Sequence, residues 1–193
     1  DAPAIAAERE RLARELHARK QALYSQLLQS HRLALRPGVA ELIDEARREG
    51  LRQAIVTTTS RSGVDTLLQG AFGATWRQQF AAVVCGEDVQ AKKPSPEAYE
   101  LCLQQLAIGP LEAVAFEDSP GGAAAARAAH VPVIVTRSHY FMTATIDGAI
   151  AIGAGLHSRE GWSPPCAGAS AQQRVTLDDV RHWCAQMESV SQF

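Results

Sequence analysis

The stretch AVAFEDSPGGAAAARAAHVPVIVT, residues 113–136, decides how the chain is read. Its apolar opening, Ala113 to Phe116, has the composition of a buried strand and ends in two adjacent carboxylates, Glu117 and Asp118, followed at once by Ser-Pro-Gly-Gly. A short helix over Gly122 to His130 and a second apolar strand over Val131 to Thr136 complete a strand–helix–strand unit. Charges at the end of a buried strand cost folding energy unless something pairs with them, so the acid pair marks a site.

The same alternation extends upstream. Residues 4–29 read as one amphipathic helix, with Ile5, Leu12, Leu16, Leu23, Leu27 and Leu28 close to a 3.6 period. His31 to Pro37 is a connector, and Pro37-Gly38 opens a helix that runs through Arg48 and stops at Gly50. A β-branched strand over Leu51 to Thr58, a helix over Ser62 to Gly70, a strand over Phe80 to Cys85 and a helix over Pro96 to Leu106 follow. Past Phe141 the pattern weakens, with a candidate edge strand at Ala149 to Ile152. Residues 161–173, GWSPPCAGASAQQ, read as a loop, and the end of the chain as a helix or a disordered tail. Strands alternating with helices at this spacing predict an α/β fold with a parallel sheet covered on both faces. Ligands in such folds sit beyond the carboxyl ends of the strands, so polar groups at several strand ends are expected to converge.

Composition narrows the partners. The 193 residues carry a net charge of -2, with 46% hydrophobic and 21% charged residues, which gives no electrostatic reason to expect nucleic acid or an anionic membrane. Apolar runs such as Val131 to Val135 fall far short of the roughly 20 residues of a spanning helix, and the charged stretch Asp1 to Lys20 has no signal-peptide core. Cys85, Cys102, Cys166 and Cys184 form no Cys-x-x-Cys pair, which predicts reduced thiols and a cytoplasmic location. His182 and Cys184 flank a tryptophan, but two ligands without two more do not make a zinc site.

Three motifs stand at successive sheet edges. Thr57-Thr58-Thr59-Ser60, followed by Arg61, Ser62 and Gly63, is either an N-cap or an anion site built from hydroxyls and free backbone N–H groups. Ala91-Lys92-Lys93-Pro94-Ser95-Pro96-Glu97 holds Lys93 between stiff prolines, either as a solvated basic turn or as a fixed ammonium facing an anion. Glu117-Asp118 is either a helix cap or a site for a hard divalent cation such as Mg²⁺, which takes few protein carboxylates and leaves room for phosphate.

In this order TTTS, KKPSPEAY and FEDSPGGAAAARAA resemble motifs two, three and four of the haloacid dehalogenase (HAD) superfamily, in the phosphosugar phosphatase and β-phosphoglucomutase branch that includes the CbbY-type enzymes. The resemblance runs from about Leu35 to Phe141. It implies a three-layer Rossmann-like core over residues 35–160, a remnant of a helical cap over 1–34, and a C-terminal loop and helix or tail over 161–193. It also implies that Thr58 holds a transferring phosphoryl group with help from Thr59 N–H, and that Lys93 pairs with nucleophile and phosphate. Ser60, Arg61 and Ser62 then contact a substrate phosphate, Asp118 binds Mg²⁺, and Glu117 ligates or steadies the metal shell.

The superfamily's nucleophile is an aspartate two residues before an acid/base aspartate, in a DxDGT-type motif on the first strand. No such stretch occurs in these 193 residues, and Asp178-Asp179 lacks the spacing. The expectation is therefore the C-terminal portion of a Mg²⁺-dependent phosphatase for small sugar phosphates or bisphosphates, inactive by itself, with its sheet opened where the first strand is missing. A phosphomutase of the same branch and a non-catalytic phosphate-binding or interaction module are the alternatives.

Overall fold

A computed structural model describes residues 6–30 and 34–190. The expected beginning of the first helix at residues 4–5, the connector residues 31–33 and the last residues, 191–193, lie outside the described residues.

The first helix, α1 (Ala6–Ser30), forms where expected and lies against α3 (Arg61–Phe72). Its apolar stripe is nevertheless open to solvent, with Leu12 39%, Leu16 57% and Leu23 53% exposed. The helix is supported locally by Ala, Leu, Glu and Arg, and by Arg11–Glu15 and Glu10–Arg14 pairs at i,i+4 spacing, each contributing about 0.3–0.5 kcal/mol.

The remaining order is α2 (Val39–Arg48), β1 (Ala54–Val56), α3, β2 (Ala82–Val84), α4 (Glu97–Leu106), β3 (Ala115–Glu117), α5 (Pro120–Ala128), β4 (Val133–Thr136), β5 (Ala151–Gly153) and α6 (Leu177–Val190). All strand pairs are parallel. β1 pairs with β2, Ile55 opposite Val83, while β4 lies between β3 and β5, with Ile134 opposite both Phe116 and Ala151. The sheet is thus in two pieces, β2-β1 and β3-β4-β5, with no strand pairing joining β1 to β3.

The inner edges border a slot. On one side a cavity of about 510 Å³ is lined by Ala54, Val56, Tyr99, Leu103 and Phe116. On the other a cavity of about 500 Å³ is lined by Ala54, Leu42, Leu68, Phe116 and Asp118. Phe116, in the middle of β3, is 39% exposed because no strand covers it on this edge. The opening expected in the sheet lies here.

The three-stranded piece is sealed on both faces. Val133 and Val135 pack on Ala123, Ala125 and Ala126 of α5, where an alanine run lets the helix approach closely. Ile134 and Ala151 face Trp162, Val175 and Trp183, so residues beyond 160 belong to the same core. Trp162 and Trp183 stack at 4.6 Å. Asp179, fully buried, accepts from Arg159 Nη1, Ala167 N, Thr176 N and Thr176 Oγ1, which fixes the long loop that precedes α6. Half of the noted Asp178-Asp179 pair is therefore a structural anchor.

Candidate functional site

Lys93 is presented by a loop that its own sequence stiffens. Glu97, in the first turn of α4, accepts from Gln90 N and Ala91 N at 2.7 Å each, and these bonds hold its carboxyl below the usual carboxylate range. The Lys93 ammonium then reaches across the slot. It donates to the Val56 carbonyl at the end of β1 (2.9 Å) and to Glu117 Oε1 at the end of β3 (2.5 Å). The expectation that polar groups from separate strand ends converge is met at this ammonium.

Glu117 is held by two donors. Its Oε1 also accepts from the Tyr99 hydroxyl, and the Lys93 nitrogen lies 5.0 Å from the Tyr99 ring centre. The side chains of Lys93 and Glu117 are only 11% and 9% exposed. Burial, reinforced by the Glu117 charge, pushes the Tyr99 phenol far up, so it stays a proton donor. Gly122 makes room for Glu117: a Cβ there would stand 1.9 Å from Glu117 Oε2.

Asp118 lies at the exposed end of β3. Its carboxylate makes no hydrogen bond or ion pair among the described residues, and the cap of α5 is Ser119, whose Oγ accepts from Gly122 N at 3.2 Å. The capping alternative for Asp118 therefore falls away. The Asp118 carbonyl receives the Ser138 N–H at 3.3 Å, while the Ser138 hydroxyl is buried without a partner among the described residues.

The hydroxyl turn after β1 is mostly occupied with itself. Thr59 N donates to Thr57 Oγ1 (3.1 Å), Ser60 Oγ accepts from Gly63 N (3.3 Å) and Ser60 Oγ lies 3.3 Å from Ser62 Oγ. Arg61 N donates to both oxygens of Glu87 (3.0 Å each), so a carboxylate of the chain already sits at the start of α3. The Arg61 guanidinium grips Asp88 at 2.5 Å. Asp88 is held below the usual carboxylate range, first by the Cys85 N–H and then by Arg61. Thr58, by contrast, is exposed with no side-chain partner among the described residues. Gly86 closes the turn, because a Cβ there would lie 2.4 Å from the Thr58 carbonyl.

Of the residues singled out in the sequence, Lys93 and Glu117 are in direct contact, and Asp118 follows Glu117 on the same strand end. Thr58 lies two residues past the Val56 carbonyl that Lys93 also binds. Arg61 is held by Asp88. Sequence reasoning gave no role to Glu97, Tyr99 and Gly122, which lie inside its own motifs, and passed over Gly86, Glu87 and Asp88. A glycine inside the alanine-rich α5 was the available signal for a close approach, but it does not say to what. Among the described residues no cluster of three or more His, Cys, Asp or Glu could cage a metal. None of the four cysteines is in a disulfide among the described residues, and no described helix is long and apolar enough to cross a membrane.

Residues 3–130 match the haloacid dehalogenase-like hydrolase family. The protein CbbY of Rhodobacter capsulatus is 44% identical over 126 residues, 65% of this chain and 56% of that protein. Among solved structures, a CbbY variant from Rhodobacter sphaeroides in complex with xylulose-1,5-bisphosphate superposes with a TM-score of 0.66 at 40% identity, covering 70% of this chain and 60% of that one. A putative β-phosphoglucomutase from Thermotoga maritima gives 0.55 at 27% identity, covering 75% and 64%. The chain thus spans less than two thirds of the length of each of these proteins.

Proposed function

Because the chain belongs to the haloacid dehalogenase-like hydrolase family, we propose that it is the C-terminal portion of a Mg²⁺-dependent phosphatase acting on small phosphorylated sugars. The observation that carries this reading is the buried Lys93 ammonium, anchored between Val56 O and Glu117 with a free Asp118 at the same strand end. A fixed cation beside an unpaired carboxylate is what phosphoryl transfer needs, since its catalysis is mostly positioning and charge stabilisation.

Each residue has a role in this reading. The exposed Thr58 hydroxyl grips the transferring phosphoryl group, and Lys93 offsets its charge. Thr59, Ser60, Arg61 and Ser62 form the neighbouring phosphate-binding turn, with Arg61 exchanging Asp88 for substrate. Asp118 suits Mg²⁺ as a single carboxylate ligand, because Mg²⁺ commonly takes one or two carboxylates and completes its shell with water and phosphate. The cation, when bound, supplies Lewis-acid polarisation of the phosphoryl oxygens.

The nucleophile is the part this chain does not provide, as it holds no Asp-x-Asp. The slot between β1 and β3 has room at the right strand ends for a strand that carries it, and formation and hydrolysis of an aspartyl phosphate would follow there. The chain alone is accordingly assigned no turnover. Xylulose-1,5-bisphosphate in the CbbY complex favours a sugar bisphosphate as substrate. Four cysteines outside any disulfide favour a cytoplasmic location. A phosphomutase is the second reading, favoured by the likeness to the putative β-phosphoglucomutase.

The test is phosphate release from sugar mono- and bisphosphates with Mg²⁺, by the chain alone and by the protein extended upstream in its own reading frame. No release by the chain and release by the extended protein is expected. Turnover by the chain alone that Asp118→Asn abolishes would overturn the reading, and transfer to a second hydroxyl without release would favour the mutase.

A further inference from the structure

The adjacent carboxylates do different jobs in this fold, and two residues outside the motif pair enforce the division. We propose that Tyr99 and Gly122 are positioning residues that turn Glu117 inward as the anchor of Lys93, leaving Asp118 alone to face the cation and substrate. The inference rests on the phosphatase reading for its functional sense, but the geometry behind it is observed directly in this chain.

Glu117 Oε1 is shared by two donors, the Lys93 ammonium at 2.5 Å and the Tyr99 hydroxyl. Tyr99 is buried on α4, six residues after Lys93, so its phenol reaches Glu117 from beneath while its ring face lies 5.0 Å from the Lys93 nitrogen. The other oxygen, Oε2, occupies the space a side chain at position 122 would need: a Cβ would stand 1.9 Å from Oε2, 2.3 Å from Cδ and 2.9 Å from Oε1. All three atoms are in the carboxylate, so the clash cannot be relieved without moving the group that holds Lys93. Next door, a Cβ at Gly121 would meet nothing within 4 Å. Both glycines lie in the first turn of α5, so Gly→Ala changes helix propensity at both and touches the carboxylate at one.

The chain has three lysines, Lys20, Lys92 and Lys93, and the first two are exposed. A buried ammonium with two fixed acceptors exchanges its protons slowly enough to give a ¹H–¹⁵Nζ correlation, which solvent-exposed lysines lose. The experiment records that correlation on the 193-residue chain, without substrate or metal, for the parent protein and for Gly121→Ala, Gly122→Ala and Tyr99→Phe. One Lys93 signal is expected in the parent and in Gly121→Ala, and none in Gly122→Ala. Tyr99→Phe keeps the ring and removes the donor, and is expected to quicken Lys93 proton exchange by roughly tenfold as Glu117 gains freedom. Unchanged exchange in Tyr99→Phe overturns the proposal even if Gly122→Ala does not fold. An unchanged Lys93 signal in folded Gly122→Ala, or equal loss in Gly121→Ala, overturns it as well. Since nothing is turned over, failure here is separate from failure of the phosphatase reading.

Discussion

The two pieces of the sheet are built differently. β3-β4-β5 has α5 on one face and the tail with Trp162, Val175 and Trp183 on the other, and Val133 to Val135 of its middle strand are fully buried. β2-β1 is a two-stranded piece, which needs helices to persist, and it relies on α3, α4 and a turn tied by Arg61–Asp88. Across the slot Lys93 ties the end of one piece to the end of the other. The site is thereby also a structural joint: the ammonium proposed to offset phosphoryl charge holds the edges of an open sheet together.

The largest expected effects come from the buried charges on either side of that comparison. Glu117→Ala leaves Lys93 buried without its carboxylate and should cost about 3–5 kcal/mol in urea unfolding. Asp179→Ala, which strands Arg159, two N–H donors and the Thr176 hydroxyl within the tail, should cost a similar amount. If the joint view holds, Glu117→Ala loosens β2-β1 while Asp179→Ala loosens β3-β4-β5. Equal loosening of both pieces by either variant would make them one cooperative unit.

Hydrogen exchange sharpens the same contrast in the unaltered chain. Amides of Ile134 and Val135, paired on both sides, should be protected more strongly than those of Ala54 to Val56, paired on one. Equal protection would contradict the uneven architecture.

Much of this fold was legible because its strands alternate with helices and its motifs carry turn chemistry. Strand ends were less so. Leu51 to Thr58 reads as one strand, but only Ala54 to Val56 pairs, since the Thr57–Ser60 turn folds back on Gly86 and the opposite edge has no partner. The third strand was expected to stop at Phe116, whereas it runs through Glu117, because Lys93, from 24 residues away, supplies the counter-charge. The helical turn Trp76–Gln79 is too short to show a period. The α1 pattern gave the helix but not its exposure, and the loop after residue 160 gave no hint that Trp162 closes the core. Lys93, Glu117, Asp118 and Thr58 were readable as motif residues. Tyr99 and the Asp88 clasp on Arg61 were not, because their partners come from the fold rather than from a local pattern.

The smallest effect concerns acid. The Gln90 and Ala91 N–H groups hold Glu97 below the ordinary value of its carboxyl, so its contribution is present above the unfolded pKa and is lost as pH falls through the lower, folded one. Glu97→Gln should therefore be less stable than the parent at neutral pH, with the difference shrinking below about pH 4. A difference that grows in acid would reverse the sign.

The most direct measurement compares Lys93→Ala with Asp118→Ala in the upstream-extended protein, by Mg²⁺ titration and by phosphate release from a sugar bisphosphate. The account predicts that Asp118→Ala weakens Mg²⁺ binding and turnover together. Lys93→Ala should leave Mg²⁺ affinity nearly intact and cut turnover by on the order of 10² or more. Mg²⁺ binding as tight in Asp118→Ala as in the parent, or full turnover in Lys93→Ala, would contradict it.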